Sequence, residues 1–398
     1  MTYQPLRLRA NAHKRLTAGH CWIYSNEVDT QTTPLKALSP GTLVTVEKAN
    51  GQALGVAYAN PQSLICARLL SRDSTVKIST GWLRQRLQEA LALRQHYYDQ
   101  PYYRWVFSEA DALPGLILDR YGEYCVGQIN TAGMASLQPQ LEEALQGLDG
   151  VSGLLWRNDS PIRELEGLER QVVDGFGEVP QRLQLQEAGL KFDIDPRQGQ
   201  KTGWFYDQRH NRDALATWWA DARVLDLFSY VGGWALRAAA AGAREVTAVD
   251  RSAPAIELLE HNAGQNGLTE RILTHCGPVD EYLGQAREQR ERFDVVVLDP
   301  PALVKKSRDK GAGLAAYRKL NQNALTLVRY GGILVTCSCS ALVSGDDLLQ
   351  AVNSAARHVD RRVQVLQVLQ QGPDHPAHPA IAESRYLKGL VLRVLPVV

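Results

Sequence analysis

From Asn211 onward, short apolar runs alternate with amphipathic segments, and this alternation constrains the fold more than any other feature of the chain. Strands are expected near Arg223–Leu227, Glu245–Val249, Arg271–His275, Asp294–Leu298 and Gly332–Ser338, and helices near Trp234–Ala241, Ala253–Asn266, Val279–Arg290, Leu314–Val328 and Gly345–His358. Val295-Val296-Val297-Leu298 and Ile333-Leu334-Val335 are apolar at every position, as strands covered on both faces must be. Such alternation builds βαβ units, so the fold class is α/β with a doubly wound, Rossmann-like parallel sheet. Arg362–Leu369 and Leu390–Val398 are expected to close that sheet as an antiparallel pair. Ligands of such sheets bind outside the carboxyl ends of the strands. The residues that follow each strand therefore carry the chemistry.

At 398 residues the chain exceeds one ordinary domain. Residues 1–72 read as a small β-barrel-like module with a short helix near Asn11–Leu16. Its Leu43–Glu47 and Ala53–Tyr58 runs flank Asn50-Gly51, a hairpin signal, and Ser63–Leu70 follows as a further strand. Residues 73–182 read as a central α+β domain, with a helix over Thr80–Tyr98, strands near Gly115–Asp119 and Cys125–Ile129, and a helix near Ser136–Leu148. Residues 183–398 form the third domain, entered through a hairpin of Leu183–Leu185 and Leu190–Ile194.

The formal net charge of +1 excludes a globally basic nucleic-acid binder but not local patches. Residues 1–72 hold eight Lys or Arg against three Asp or Glu, and seven basic residues against the single acid Asp309 stand between Pro301 and Tyr330. Each cluster alone reads as solvated surface; together, at these places, they favour an anionic polymer. No apolar stretch approaches the roughly 18–20 residues of a membrane span, and a cytoplasmic protein is expected. Of the six cysteines none forms a C-x-x-C pair, so neither a disulfide framework nor a metal site is expected. Cys21, Cys66, Cys125 and Cys276 read as small buried hydrophobes.

The first strand of the third domain runs Val224-Leu225-Asp226-Leu227-Phe228-Ser229-Tyr230-Val231-Gly232-Gly233 into a helix. Glycines at a strand-to-helix turn let a ligand approach the backbone closely, yet the G-x-G-x-x-G dinucleotide fingerprint is absent. Asp250, at the end of the second strand, suits the two hydroxyls of an adenosine ribose. Asp226 suits the cationic end of S-adenosylmethionine, and no P-loop lysine serves a triphosphate. The plainer alternative is a generic Rossmann turn. Phe228, Tyr230 and Trp204 can stack on bases or the adenine, or fill the core.

In these residues the region resembles a class I S-adenosylmethionine-dependent methyltransferase. Gln200-Lys-Thr-Gly-Trp-Phe-Tyr-Asp-Gln-Arg209, Asp226-Leu-Phe-Ser-Tyr-Val-Gly-Gly233, Asp299-Pro300-Pro301, Cys337-Ser-Cys-Ser340 and Tyr386-Leu387-Lys388-Gly389 are similar to segments of the bacterial large-subunit (23S) ribosomal RNA cytosine-5 methyltransferase I family. His13-Lys14-Arg15-Leu16 and Gly19-His-Cys-Trp-Ile-Tyr24 are similar to that family's amino-terminal RNA-binding barrel of the PUA class. The resemblance spans nearly the whole chain in the family's order. It implies S-adenosylmethionine as methyl donor, held by Asp226, Phe228, Ser229, Tyr230, Gly232, Asp250, Asp299 and Arg209. It implies ribosomal RNA as partner, met before the large subunit is fully assembled and gripped by Lys14, Arg15, Pro300, Lys305 and Lys306, and it allows an oligomer. One departure stands out: where relatives place an Asp for the adenine amino group, this chain has His275-Cys276-Gly277-Pro278, which leaves the adenine to backbone groups or to Asp280.

Cytosine-5 chemistry explains the residue types. Carbon 5 attacks a methyl sulfonium poorly until a thiolate adds to C6 and makes the ring an enamine. Asp299 suits the N3/N4 edge of the base, and Pro300-Pro301 a stacking wall. Cys337 and Cys339 share strand parity, so the side-chain period does not separate them. Cys339 stands about 6.6 Å nearer the carboxyl end of the strand, and the resemblance places the nucleophile seven residues after Gly332, at Cys339. The alternative is that both cysteines are core. Other functions carried forward are uracil-5 methylation, amino-group methylation of a purine, and a noncatalytic RNA-binding or ribosome assembly factor.

Overall fold

A computed structural model describes residues 3–397; Met1, Thr2 and Val398, the outer ends of the expected first and third domains, lie outside the described residues. The chain forms two compact units. The first contains the described residues through Leu183, with Asp195–Trp204 and Pro373–Ala382; the second contains Gln184–Ile194, Phe205–Gly372 and the residues from Glu383.

In the first unit, β1 (Gln4–Arg7), α1 (His13–Thr17), β2 (Trp22–Ile23), β3 (Thr42–Glu47), β4 (Ala53–Ala59) and β5 (Ala67–Ser71) come first. Their strands make a five-stranded sheet in the order β1-β3-β4-β5-β2. Gly51 takes the left-handed φ of +88° that the β3–β4 turn requires. The strand expected from Ser63 starts only at Ala67. The physical reason is Asn60: its side-chain oxygen accepts the Gln62 N–H at 3.1 Å, while its own N–H bonds the Cys66 carbonyl at 2.7 Å, closing a turn over the intervening residues.

Then follow α2 (Thr80–Tyr97), β6 (Tyr102–Phe107), β7 (Leu116–Tyr121), β8 (Tyr124–Ile129), α3 (Ala132–Ser136), α4 (Gln138–Gln146), β9 (Gly153–Asn158), α5 (Ile162–Leu165) and β10 (Gln171–Phe176). The strands order as β10-β9-β8-β7-β6, with β8 and β9 parallel. The helix expected near Ser136–Leu148 is α4, which starts at Gln138 because Pro139 favours a first turn, and the short helix α3, not read from the sequence, precedes it. Two later segments complete this unit. Fully buried Arg94 donates to the Asp374 carbonyl at 2.7 Å, and the Asp374 carboxylate accepts the Arg104 N–H at 3.1 Å.

The second unit holds most of β11 (Leu183–Glu187), then β12 (Leu190–Ile194), α6 (Arg209–Ala214), β13 (Arg223–Leu227), α7 (Gly233–Ala240), β14 (Glu245–Asp250), α8 (Ala253–Gln265), β15 (Ile272–Cys276) and α9 (Val279–Glu288). It continues with β16 (Phe293–Leu298), α10 (Lys310–Leu327), β17 (Val328–Ser338), α11 (Gly345–His358), β18 (Arg361–Gln370) and β19 (Lys388–Pro396). The seven-stranded sheet runs β15-β14-β13-β16-β17-β19-β18. Strands β13 to β17 pair in parallel, and β19 is antiparallel to both of its neighbours. The order reverses between β13 and β16, which opens a crevice at their carboxyl ends. Val295–Leu298 and Ile333–Val335 are buried, as their unbroken apolar character requires.

Of the four cysteines expected to be buried, Cys66 and Cys125 are, whereas Cys21 is only half-buried and Cys276 is exposed. Cys276 ends β15, an edge strand with a neighbour on one side only.

Candidate active site

The crevice at the ends of β13, β14 and β16 gathers three carboxylates: Asp226, Asp250 and Asp299. Asp226 is fully buried near the end of β13, and neither of its oxygens has a hydrogen-bond partner among the described residues. Burial first, and the Asp299 charge second, push its carboxyl up to about 8; the Ala235 amide offsets part of this without closing a full bond. The buried Ser229 hydroxyl is likewise without a partner. Asp250 is held from both sides, its two oxygens accepting the Tyr230 N–H at 3.0 Å and the Ser252 N–H at 2.9 Å.

The loop between β13 and α7 is strained. Phe228, Tyr230 and Gly232 have φ of +65°, +49° and +91°, and a left-handed L residue costs about 1–2 kcal/mol. A Cβ on Gly232 would come within 2.4 Å of Leu236, so only glycine fits there. Partnerless acidic oxygens beneath a strained loop fit a ligand that brings positive charge, as a sulfonium with an α-ammonium does.

Four predicted cofactor residues, Phe228, Ser229, Tyr230 and Gly232, thus stand together with Asp226 and Asp250. Arg209 is committed elsewhere: its Nε lies 3.5 Å from Glu187 and its guanidinium stacks on Tyr206. Both oxygens of buried Glu187 also accept from Arg212, at 2.6 and 2.7 Å. Burial would raise the Glu187 carboxyl, but Arg212, Arg209 and Arg237 outweigh it and hold it at about 2. This cluster anchors β11 to α6 and α7, which flank the crevice. At the departure from the family pattern, the Gly277 N–H bonds the Asp250 carbonyl at 2.9 Å. Asp280 is exposed and lines a 310 Å³ groove with Arg287, Lys319 and Asn323.

Asp299 follows β16. One of its oxygens accepts the Gln208 side-chain amide at 3.0 Å and the Trp234 indole N–H at 3.1 Å, which fixes the carboxylate's direction. Asn211 in turn donates to the Gln208 side-chain oxygen at 2.6 Å. Pro300 is buried and Pro301 exposed, so the ring face presented to solvent is that of Pro301.

The two cysteines, alike in parity, differ in surroundings. Cys337 lies inside β17 opposite Gly389, where a Cβ would come within 3.0 Å of its sulfur; burial and then Asp299 push its thiol well up. Cys339 lies past the end of β17, is half-buried, and donates its thiol to the Pro300 carbonyl at 3.9 Å. Flanking serines lock it there. Ser338 donates to the Tyr317 hydroxyl at 2.9 Å, and the Ser340 hydroxyl accepts the Val304 N–H at 3.2 Å.

The basic residues are on the surface. Lys305 and Lys306 are exposed in the loop after Pro301, and Lys310 pairs with Asp347 at 2.8 Å. In the first unit Lys14 is exposed, while Arg15 pairs with Glu27 at 2.9 Å and stacks on Tyr24. Trp204 is buried in that unit, and Phe228 and Tyr230 are half-buried.

Sequence reasoning gave no role to Gln208, Trp234, Tyr317 or Lys388. Gln208 and Lys388 stand inside motifs that carry the family resemblance, and Trp234 directly follows the Gly-Gly pair, so position relative to a motif is the available signal.

Residues 173–393 match the S-adenosylmethionine-dependent methyltransferase family, and residues 6–72 match the PUA-like domain. Fold and site thus define an S-adenosylmethionine-dependent methyltransferase with an amino-terminal PUA-like domain. The ribosomal RNA large subunit methyltransferase I of Alteromonas mediterranea is 33% identical over 392 residues, 97% of this chain and 98% of that one. Its namesake in Cronobacter sakazakii is 34% identical over 98% of this chain and 99% of its own. The chain belongs to the ribosomal RNA large subunit methyltransferase I family. A structure described as a methyltransferase complexed with SAH superposes with a TM-score of 0.83 at 20% identity, covering 98% of this chain and 99% of that one. Trm5b from Pyrococcus abyssi superposes at 0.53 and 17% identity, covering 70% and 74%. At such identities the likeness concerns the fold. Among the described residues no helix is long and apolar enough to cross a membrane.

Proposed function

We propose that the protein methylates carbon 5 of a cytosine in large-subunit ribosomal RNA, with the Cys339 thiolate adding to C6 of the base. The observation that carries this reading is the contrast between the two cysteines: Cys337 is sealed in the sheet, while Cys339 reaches solvent beside the Asp299-Pro300-Pro301 turn. The RNA substrate is supported by the names of the full-length relatives.

S-adenosylmethionine, when bound, supplies an electrophilic methyl group on a sulfonium. Asp226 would complement its positive charge, Asp250 would accept from the ribose hydroxyls, and Phe228, Ser229, Tyr230 and Gly232 would line its place. Asp299, aimed by Gln208 and Trp234, accepts from the N4 amino group of the cytosine and holds the ring edge. Cys339 loses its proton and its sulfur adds to C6, which raises electron density at C5. Once C5 carries the methyl group, its proton passes to water, the C5–C6 double bond re-forms and the sulfur departs as thiolate with its electron pair. The target base must be presented face-on, from a single strand or by extrusion. Lys14, Arg15, Lys305 and Lys306 grip phosphates, with Pro301 rather than buried Pro300 offering a stacking face. The division 1–72, 73–182 and 183–398 assigns RNA capture to the first domain and chemistry to the third.

The test is a nucleoside digest of RNA methylated by the purified protein. Wild type is expected to yield 5-methylcytidine, Cys339→Ala to lose at least about 100-fold in rate, as loss of a nucleophile does, while still binding S-adenosylmethionine, and Cys337→Ala to retain most activity. Methylated uridine or purine in the digest, or a fully active Cys339→Ala protein, sinks the reading.

A further inference from the structure

Lys388 begins β19, opposite Ser338 of β17. Its Nζ donates to the Ser340 carbonyl at 2.7 Å and to the Tyr386 carbonyl at 2.7 Å. Lys388 therefore brackets the position of Cys339 along the chain: its backbone pairs with the residue before the cysteine and its ammonium binds the backbone of the residue after it. Its third N–H has no acceptor among the described residues.

Two neighbours of Cys339 disfavour a thiolate. The thiol donates to the Pro300 carbonyl at 3.9 Å, a contact that turns repulsive once the proton is gone. Asp299 stands at the head of the same turn and, with Asp207, acts on neighbouring Cys337. Asp347 from α11 acts on Lys388 itself, and its charge is partly met by Lys310 at 2.8 Å. Tyr317 from α10, on which Cys339 acts, and Tyr386, which bonds Asp207, are further titratable groups here. Among all these Lys388 is the cation bonded to the chain on both sides of the cysteine's position.

We propose that Lys388 is a positioning residue whose positive charge stabilises the thiolate of Cys339. The proton released from sulfur goes to water, Lys388 keeps its own, and no bond to Lys388 forms or breaks. The coupling is visible from the lysine's side as well. Burial lowers Lys388 to about 8, and the negative charge of Cys339 opposes that fall. Interactions of this kind are reciprocal. The inference rests on Cys339 being the nucleophile, but its test does not require turnover.

The experiment measures alkylation of Cys339 by iodoacetamide against pH, on the ligand-free full-length protein. Peptide mass spectrometry separates Cys339 from exposed Cys276. Lys388→Gln keeps a donor without charge, and Lys388→Arg keeps the charge. The expected result is an alkylation midpoint raised by about one pH unit in Lys388→Gln, roughly tenfold slower labelling near neutrality, with Lys388→Arg close to wild type. A Lys388→Gln profile that overlays wild type overturns the proposal, as does an Arg variant shifted as far as the Gln variant. A reciprocal measurement needs no change at Lys388. Acylation of Lys388 at fixed pH is expected to quicken in Cys339→Ser, where no thiolate holds the lysine's proton; equal rates also overturn it. Full methyl transfer by Cys339→Ala would defeat the nucleophile reading while leaving the alkylation result standing, so the two failures are separable.

Discussion

Asp226 shows how much chemistry one side chain can carry. Its carboxyl is lifted to about 8 by burial and by Asp299, and its oxygens lack partners among the described residues. A group raised on folding contributes stability that is complete below its unfolded pKa and disappears as pH climbs through its folded pKa. For Asp226 that window runs from the ordinary carboxylate range to about pH 8. Asp226→Asn is therefore expected to stabilise the ligand-free protein at pH 9 far more than at pH 5, by several kcal/mol at about 1.4 kcal/mol per pKa unit. The same variant is expected to bind S-adenosylmethionine more weakly, since the charge that destabilises the empty crevice is the one the ligand needs. Urea denaturation at both pH values and titration calorimetry measure the two effects. A stability gain independent of pH, or unchanged affinity, contradicts this account. The acid at the strand end was legible in the sequence, because α/β sheets put ligands at that place. Its loneliness was not, because a missing hydrogen bond depends on what every neighbouring segment leaves undone.

Elements were legible where local periodicity and local contacts agree. β13 and α11 have the bounds read from sequence, the latter with a Ser344–Asp347 capping box to mark its start. β6 and β9 went unread. They carry Arg104 and Arg157, buried charges that break the apolar pattern and are matched outside their own strands by Asp119 and by the Pro196 carbonyl, 15 and 39 positions away. The cysteines illustrate the same boundary. Strand parity left them equal, and the end of β17 at Ser338 separates them, because that end is set by pairing with β19 rather than by β17 itself. The loop after Pro301 belongs to this scale too. Lys305, Lys306 and Arg308 are exposed and project no apolar surface, so their worth lies in charge. Lys305→Ala with Lys306→Ala is expected to weaken RNA binding and to flatten the slope of log affinity against log salt by about 0.7 for each single-strand phosphate no longer neutralised. Filter binding from low to moderate salt measures it, and an unchanged slope would show that this loop touches no phosphate. S-adenosylmethionine affinity is expected to stay as it was.

At the scale of the whole molecule, sequence order and compactness part company. Residues 195–204 and 373–382 belong to the first unit, although they sit within the long carboxyl-terminal stretch of the chain. The bonds that hold the second of these, Arg94 to the Asp374 carbonyl and Asp374 to the Arg104 N–H, join residues 280 and 270 positions apart. No local pattern announces such a partner; 373–382 reads as a Pro- and His-rich loop. The consequence is that the amino-terminal part is incomplete on its own. Asp374→Ala strands the buried Arg104 N–H and removes the carboxylate 2.9 Å from buried His375. Leaving a buried group unsatisfied costs about 1–3 kcal/mol, so the variant is expected to lose protection from hydrogen exchange in β6 by a corresponding factor of roughly 5 to 150. A fragment ending at residue 183 lacks both segments and is expected to lose more, because buried Arg94 then loses its Asp374 acceptor as well and keeps only Asp111 and its backbone bonds to Arg104 and Ala90. Hydrogen exchange of β6 in the full chain, the variant and the fragment orders the three. Equal protection in all of them would mean that the carboxyl-terminal segment lies on the first unit without supporting it, and that the amino-terminal part stands as an independent domain.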